Sequence, residues 1–133
     1  MCYDRHGSVN YMEQFSRTIS LVGQEAFDRV HRARVAVFGV GGVGGYVCEA
    51  LVRSGIAEID LFDRDDVSIS NLNRQIIALH STIGQDKVDA MAARLKDINP
   101  DVRVNCRKMF YLPATADEVD LSVYDFVVDA VDT

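Results

Sequence analysis

The sequence predicts an α/β fold: a doubly wound, mainly parallel sheet with helices on both faces. Three observations point to it. Apolar runs of strand length at residues 34–40, 57–63, 102–106 and 126–129 are interleaved with stretches of helical periodicity. The first run is almost continuously apolar, as a central parallel strand buried on both faces should be. It passes directly into a glycine turn, Gly39-Val40-Gly41-Gly42-Val43-Gly44, that opens a helix.

Each element is justified by local pattern. Residues 11–22 and 24–31 read as short helices parted at Gly23, with Phe15, Ile19, Leu21, Phe27 and Val30 as apolar contacts. Residues 34–40 form the first strand. In the helix after the glycine turn, Val43, Val47, Ala50 and Leu51 recur at helical spacing as one inward stripe, and Gly55 stops it in the usual C-terminal position. Residues 57–63 form the second strand and 64–70 a polar loop. The next helix spans 86–99, with Val88, Met91, Ala92, Leu95 and Ile98 inward, and Asn99-Pro100 closes it. The strands at 102–106 and 126–129 complete a parallel sheet with right-handed crossovers. The last strand enters a loop at Asp129, where a helix is expected to cover the sheet. The chain therefore reads as the N-terminal half of a longer polypeptide.

Composition narrows the function classes. The 133 residues suit one domain, with 48% apolar and 26% charged content and a formal charge of −6. Such a balance offers no general attraction to nucleic acid or anionic lipid. Two basic clusters, Arg29, His31, Arg32 and Arg34 and then Arg103, Arg107 and Lys108, are candidates for a local patch. No run approaches the length of a membrane span, and the polar start MCYDRHGSVN does not form a signal peptide. Three cysteines, Cys2, Cys48 and Cys106, lack any C-x-x-C spacing. They indicate neither a disulfide framework nor a cysteine zinc site, and a cytosolic location is expected. Cys48 and Cys106 read as buried core thiols. Residues 1–10 read as a flexible N-terminus, and 11–133 as one nucleotide-binding unit.

The chemistry is carried by the glycine turn and by the segment after the second strand. A strand, a glycine turn and a helix N-terminus hold phosphate through backbone N–H groups. Asp63 stands at the tip of the second strand, 24 residues after Gly39, where a carboxylate can accept hydrogen bonds from ribose hydroxyls. The chain then continues Asn71-Leu72-Asn73-Arg74-Gln75 and Gly84-Gln85-Asp86-Lys87. Arg74 and Lys87 add two cations beyond the glycine turn, as a triphosphate under attack requires. Asp129 and Asp132 close the last strand, where a carboxylate could hold Mg²⁺ against those phosphates. Each residue has a plainer reading: Arg74 as a surface partner of Asp65 or Asp66, Asp132 as a helix N-cap, Arg17 as a solvated arginine. His80 has no partner at metal-ligand spacing.

Arg17, the GVGGVG turn, Asp63, SNLNRQ, GQDKV, INP and the DAVDT terminus together resemble the ThiF/MoeB/HesA family, adenylyltransferases related to ubiquitin-activating enzymes. The resemblance runs in order from about Phe15 to Thr133. Within the family, QFSRTISLVGQEAF and NLNRQIIALHSTIGQDKV are most similar to the tRNA threonylcarbamoyladenosine dehydratase branch. The resemblance implies a Rossmann-like fold and ATP-dependent activation of a carboxylate as an acyl-adenylate. In that branch the acid is the threonyl carboxylate on a modified adenosine of tRNA. The resemblance implies that Gly39, Gly41, Gly42 and Gly44 shape the nucleotide loop and that Asp63 holds the ribose. It also implies that Asn71, Arg74 and Lys87 bind the phosphates, and that Asp132, with Asp129 beside it, is the acid that holds Mg²⁺. Arg17 would enter the partner's ATP site in a homodimer. Two alternatives stay open: adenylation of a ubiquitin-like sulfur-carrier protein, with a sulfur-transfer or sulfur-carrier protein as partner, and a dinucleotide-binding module without catalysis.

Overall fold

The computed structural model describes residues 11–132, so the expected flexible segment 1–10 and Thr133 lie outside the described residues. Three short helices lead in: α1 (Tyr11–Gln14), α2 (Ser16–Val22) and α3 (Gln24–Arg32). Strand β1 (Arg34–Phe38) leads to α4 (Gly44–Arg53), and β2 (Glu58–Phe62) is followed, after a long loop, by α5 (Lys87–Ile98). Strands β3 (Arg103–Arg107) and β4 (Phe126–Asp129) complete the order of elements. Where one helix was expected over 11–22, the chain breaks at Phe15, which is buried and packs its ring 5.2 Å from that of Phe27.

All four strands are parallel, in the order β3-β2-β1-β4. Strands β1 and β2 are central, so every residue after the first in each is buried. On one face Val35, Val37, Ile59 and Leu61 meet the inner sides of α4 and α5. In α5 the expected stripe holds, with Val88, Met91 and Leu95 buried and Ile98 packed against them. In α4 it is rotated. Gly44, Gly45, Cys48 and Val52 face inward, whereas Val43 is 68% exposed and Ala50 is exposed. The cause is backbone proximity. A β-carbon on Gly44 would stand 1.7 Å from the Gly39 carbonyl oxygen, so only a glycine can occupy the first inward position.

On the second face Ala36, Phe38 and Phe62 are covered by Met109, Val119 and Tyr124. Here the helical cover consists of two 3₁₀ turns, Ala116–Glu118 and Leu121–Val123, in the segment between β3 and β4. Beneath them Asp60, wholly buried, receives hydrogen bonds from Arg34, Asn105 and Tyr124. The edge strands are less covered. Cys48 is buried as expected, but Cys106 is exposed, because it lies on β3, an edge strand with a neighbour on one side only. The lead helices dock at the far end of the sheet from the glycine turn. Gln14 Nε2 donates to the Ile98 carbonyl at 3.0 Å, and a His31 ring nitrogen lies 2.8 Å from that of Gly55.

Candidate functional site

The site begins where β1 ends. Gly39 has φ +88°, a conformation that favours glycine, and its β-carbon would fall 2.8 Å from the Ala130 carbonyl. Its N–H donates to Phe62 at 2.8 Å, while Ala130 donates back to Phe38 at 2.8 Å. The turn is thereby fixed between β2 and β4. Gly41 and Gly42 are different, because a β-carbon there would meet only side chains, Gln75 at 3.5 Å and Arg74 at 3.7 Å. Gly39 and Gly44 therefore shape the turn, and Gly41 and Gly42 present its surface.

That surface is one wall of a cavity of about 280 Å³ at the carboxyl ends of the strands, the place where open α/β sheets take ligands. Asp63, Arg74, Lys87 and Asp132 all line it, together with Gly39, Gly41 and Gly42. Residues far apart in the chain are thus gathered by three strand ends, the loop that carries Arg74 and one helix start. Asp63 is buried. One carboxylate oxygen accepts from the Val40 N–H at 2.8 Å and the other from the Asp65 N–H at 2.9 Å. The first bond ties the tip of β2 to the glycine turn. Lys87, at the first position of α5, is 7% exposed, with Nζ 3.5 Å from Asp65. Arg74 is held over Gly42 by its bonds to the Ser70 carbonyl, 3.1 Å, and the Asn73 side chain, 2.8 Å. Its expected alternative partners are otherwise engaged, Asp65 with Lys87 and Asp66 with Lys108.

Four predicted residues lie outside the cavity lining. Asn71 is buried in a capping box, its side-chain oxygen accepting from the Ser68 N–H at 2.9 Å. It holds the loop that carries Arg74 rather than facing the cavity. Gly44 is shut behind Gly39. Asp129 turns its carboxylate onto the Val131 N–H at 3.1 Å, bracing the loop that presents Asp132. Arg17 lines a separate apolar groove with Leu21, Val22 and Phe27, on the lead helices.

The structure adds residues that spacing did not single out. Phe38 and Phe62 stack at 4.3 Å, Tyr111 lies 5.0 Å from Phe38, and Met109 and Phe110 extend the same wall. The Arg64 guanidinium lies 4.5 Å over the Phe110 ring. An aromatic run directly after β3, at the carboxyl end of a strand, was the available signal. Gln75 also lines the cavity, buried, with its Oε1 lacking any hydrogen-bond partner. Among the described residues no group of three or more His, Cys, Asp or Glu is placed to hold a metal ion. A cation here would have fewer than three such side chains and would rely on ligand oxygens for the rest. Nor does any helix among them have the length and apolarity to cross a membrane.

Comparison with known proteins agrees with this fold. The model of the ThiF family matches residues 15–133, and the chain belongs to that family. It is 49% identical over 122 residues to a tRNA threonylcarbamoyladenosine dehydratase of Bacillus subtilis, covering 92% of this chain and 48% of that protein. A sulfur carrier protein adenylyltransferase of Thermus thermophilus is 36% identical over 123 residues, covering 91% and 45%. The structure of the Escherichia coli tRNA N6-threonylcarbamoyladenosine dehydratase in complex with ATP superposes with a TM-score of 0.90 at 40% identity, over 95% of this chain and 52% of that one. The chain spans about half the length of the curated relatives it matches.

Proposed function

We propose that this chain carries the ATP site of a carboxylate-adenylating enzyme of the tRNA threonylcarbamoyladenosine dehydratase type, acting in the cytoplasm. The observation that carries the reading is the convergence of Gly41, Gly42, Asp63, Arg74, Lys87 and Asp132 on one cavity. A dinucleotide site would need the glycine turn and the acid alone. Two added cations and a second carboxylate suit a triphosphate. The similarity to an ATP-bound dehydratase structure at 40% identity supports the same choice.

The chemistry is set by position. Asp63, beside Val40, accepts from the ribose hydroxyls, and the aromatic wall after β3 takes the base. Backbone N–H groups of the glycine turn meet the phosphates. The substrate carboxylate attacks the α-phosphorus, the bond to the bridging oxygen breaks, and pyrophosphate leaves. Lys87 and Arg74 neutralise charge that grows on the phosphoryl oxygens. Lys87 is poised for this, since its only ion-pair partner among the described residues is Asp65 at 3.5 Å. Asp132 fits Mg²⁺, which binds through one or two carboxylates and phosphate oxygens and when bound would neutralise and polarise them. A nucleophile within the modified base then displaces AMP from the acyl-adenylate, for a net loss of water.

Basic clusters supply little general attraction for tRNA. Arg29 pairs with Glu25, Arg103 with Glu58, and Lys108 with Asp66 and Asp86, while Arg34 is drawn under the sheet by Asp60. Recognition would then rest on the modified nucleotide at the cavity mouth. The test is pyrophosphate release by the full-length protein with each of two partners, beside titration with NAD and with ATP. Release with threonylcarbamoyl-modified tRNA supports the reading. Release with a sulfur-carrier protein instead assigns the chain to the second substrate class, and NAD binding without ATP binding rejects adenylation.

A further inference from the structure

Arg74 and Gln75 are consecutive and lie against consecutive glycines, Arg74 over Gly42 and Gln75 over Gly41. Arg74 is exposed and charged. Gln75 is neutral, 7% exposed and enclosed in the cavity wall. Its amide is built at a cost: Oε1 is shut away from water with no donor, and the Nε2 end is the one turned to the glycine turn. A buried acceptor without a partner destabilises a fold. A methionine of the same length would fill that space without the penalty. Retaining an amide there is explained by what Nε2 does in the cavity.

Nε2 is a donor, so its partner is an acceptor. Gly41 lies against it, and Gly42, Arg74 and Lys87 line the same cavity, groups that favour an anion. Distance along the nucleotide selects which anion. Asp63, the ribose acid, bonds the N–H of Val40, the residue before Gly41. A phosphate above Gly41 is then the one joined to the ribose. We propose that Gln75 donates through Nε2 to a non-bridging oxygen of the α-phosphate, and so is a binding and specificity-determining residue at the phosphorus that is attacked. This inference rests on the ATP reading given above.

The test compares full-length wild type with Gln75→Met and Gln75→Glu, titrated calorimetrically with ATP, AMP and adenosine. Gln75→Met should weaken ATP and AMP alike by about 10-fold or more, as expected for a lost hydrogen bond to a charged group. Adenosine, which has no phosphate, should bind within about twofold of wild type, with the lost contact absent from it. Gln75→Glu keeps the shape but sets a negative charge against the phosphate, and should lose at least as much with ATP and AMP. Without nucleotide, Gln75→Met should melt at or above the wild-type midpoint, because the unpaired acceptor is gone. Loss on ATP alone, equal loss on adenosine, unchanged affinity in both variants, or a lowered melting point for Gln75→Met would each overturn the assignment. A wild-type protein that binds none of the three would instead overturn the nucleotide reading on which it stands.

Discussion

Tyr124 donates its phenolic hydroxyl to Asp60, 64 residues earlier in the chain, at 2.7 Å. The bond joins the segment before β4 to the middle of β2, beneath the second face of the sheet. Asp60 also takes Arg34 at 2.8 Å and Asn105 at 2.8 Å, so strands β1, β2 and β3 and the covering segment share one carboxylate. Burial pushes the Asp60 carboxyl up, but the hydrogen bonds from Arg34, Asn105 and Tyr124 outweigh it and hold the group below its ordinary value. Burial, then the same bond to Asp60, push the Tyr124 hydroxyl up to about 12.

The two shifts give stability a pH dependence of known sign. Asp60 binds its proton less readily folded than unfolded. Its contribution is complete above the ordinary aspartate value of 3.8 and is lost as pH falls through the lower folded value. Tyr124 is the reverse case. Its contribution is present below its ordinary value of 10.0 and is lost as pH rises toward about 12. Tyr124→Phe should therefore flatten the alkaline limb of a denaturation-against-pH profile. At neutral pH it should cost roughly 1.5–3 kcal/mol, the range for a hydrogen bond to a charged group. An unchanged alkaline limb would show that the bond does not persist in solution.

The glycines of the turn should separate by what stands over them. Gly44→Ala would drive a β-carbon to 1.7 Å from the Gly39 carbonyl oxygen, which is backbone and cannot yield. Expected is loss of soluble folded protein, or destabilisation of several kcal/mol at about the upper end for single substitutions. Gly41→Ala meets only the Gln75 amide at 3.5 Å, an ordinary contact. Its melting point should stay near wild type while ATP affinity falls, because the methyl group occupies the phosphate surface. A Gly44→Ala protein that melts like wild type would contradict this packing.

These contrasts mark what periodicity could and could not reveal. Strands β1 and β2 and helix α5 were legible because both faces of the strands, or one full face of the helix, are buried. The inward stripe of α4 lies one position on from the apolar one, since two glycines carry its inward surface and a hydrophobicity pattern does not register them. Asp63, Lys87 and Asp132 could be read because each follows a strand end or opens a helix, where the fold exposes side chains to a ligand, and Arg74 because it stands in the loop between β2 and α5. Asn71 sits in the same motif, but its role in the loop depends on a capping bond to Ser68 that no spacing rule separates from ligand contact. Asp60 gave no signal at all. A single acid in an apolar strand acquires its meaning from Arg34, Asn105 and Tyr124, each on a different stretch of chain.

Arg74 and Lys87 should separate chemistry from fold. Replacing either by Ala removes a cation from the cavity wall. Pyrophosphate release should drop by about 10²-fold or more, as for loss of one preorganised transition-state contact. The melting point of Arg74→Ala should be nearly unchanged, since its two partners are loop groups on the surface. Unaltered turnover in Lys87→Ala would remove that residue from the mechanism.

Asp132 is the predicted metal carboxylate that lines the cavity, whereas Asp129 accepts from the Val131 backbone. Asp132→Asn should raise the Mg²⁺ concentration needed for half-maximal pyrophosphate release by on the order of 10-fold or more, a change that even outer-sphere partners of a metal produce. Affinity for ATP measured in chelator should move little, because the carboxylate would act on phosphate only through the ion. Equal loss with and without Mg²⁺ would make Asp132 a direct nucleotide ligand instead.

Arg17 is the remaining test, and its position fixes the form the test must take. It lines a groove on the lead helices, whereas the cavity lies at the other end of the sheet, so it cannot serve the site of its own chain. If it acts on ATP, as the family resemblance implies, it does so from a second copy. Beside it Leu21 is 86% exposed and Val22 is exposed, an apolar surface of the kind that associates. Mixing Arg17→Ala with Lys87→Ala should then restore part of the activity that each lacks alone, because every mixed dimer retains one site with both groups. The recovered rate should approach about one quarter of wild type at equal mixing, half the molecules being mixed dimers with one competent site of two, the arithmetic of a closed twofold pair. Mixtures no more active than the separate variants, or a protein that scatters light as a monomer at assay concentration, would take Arg17 out of the active site.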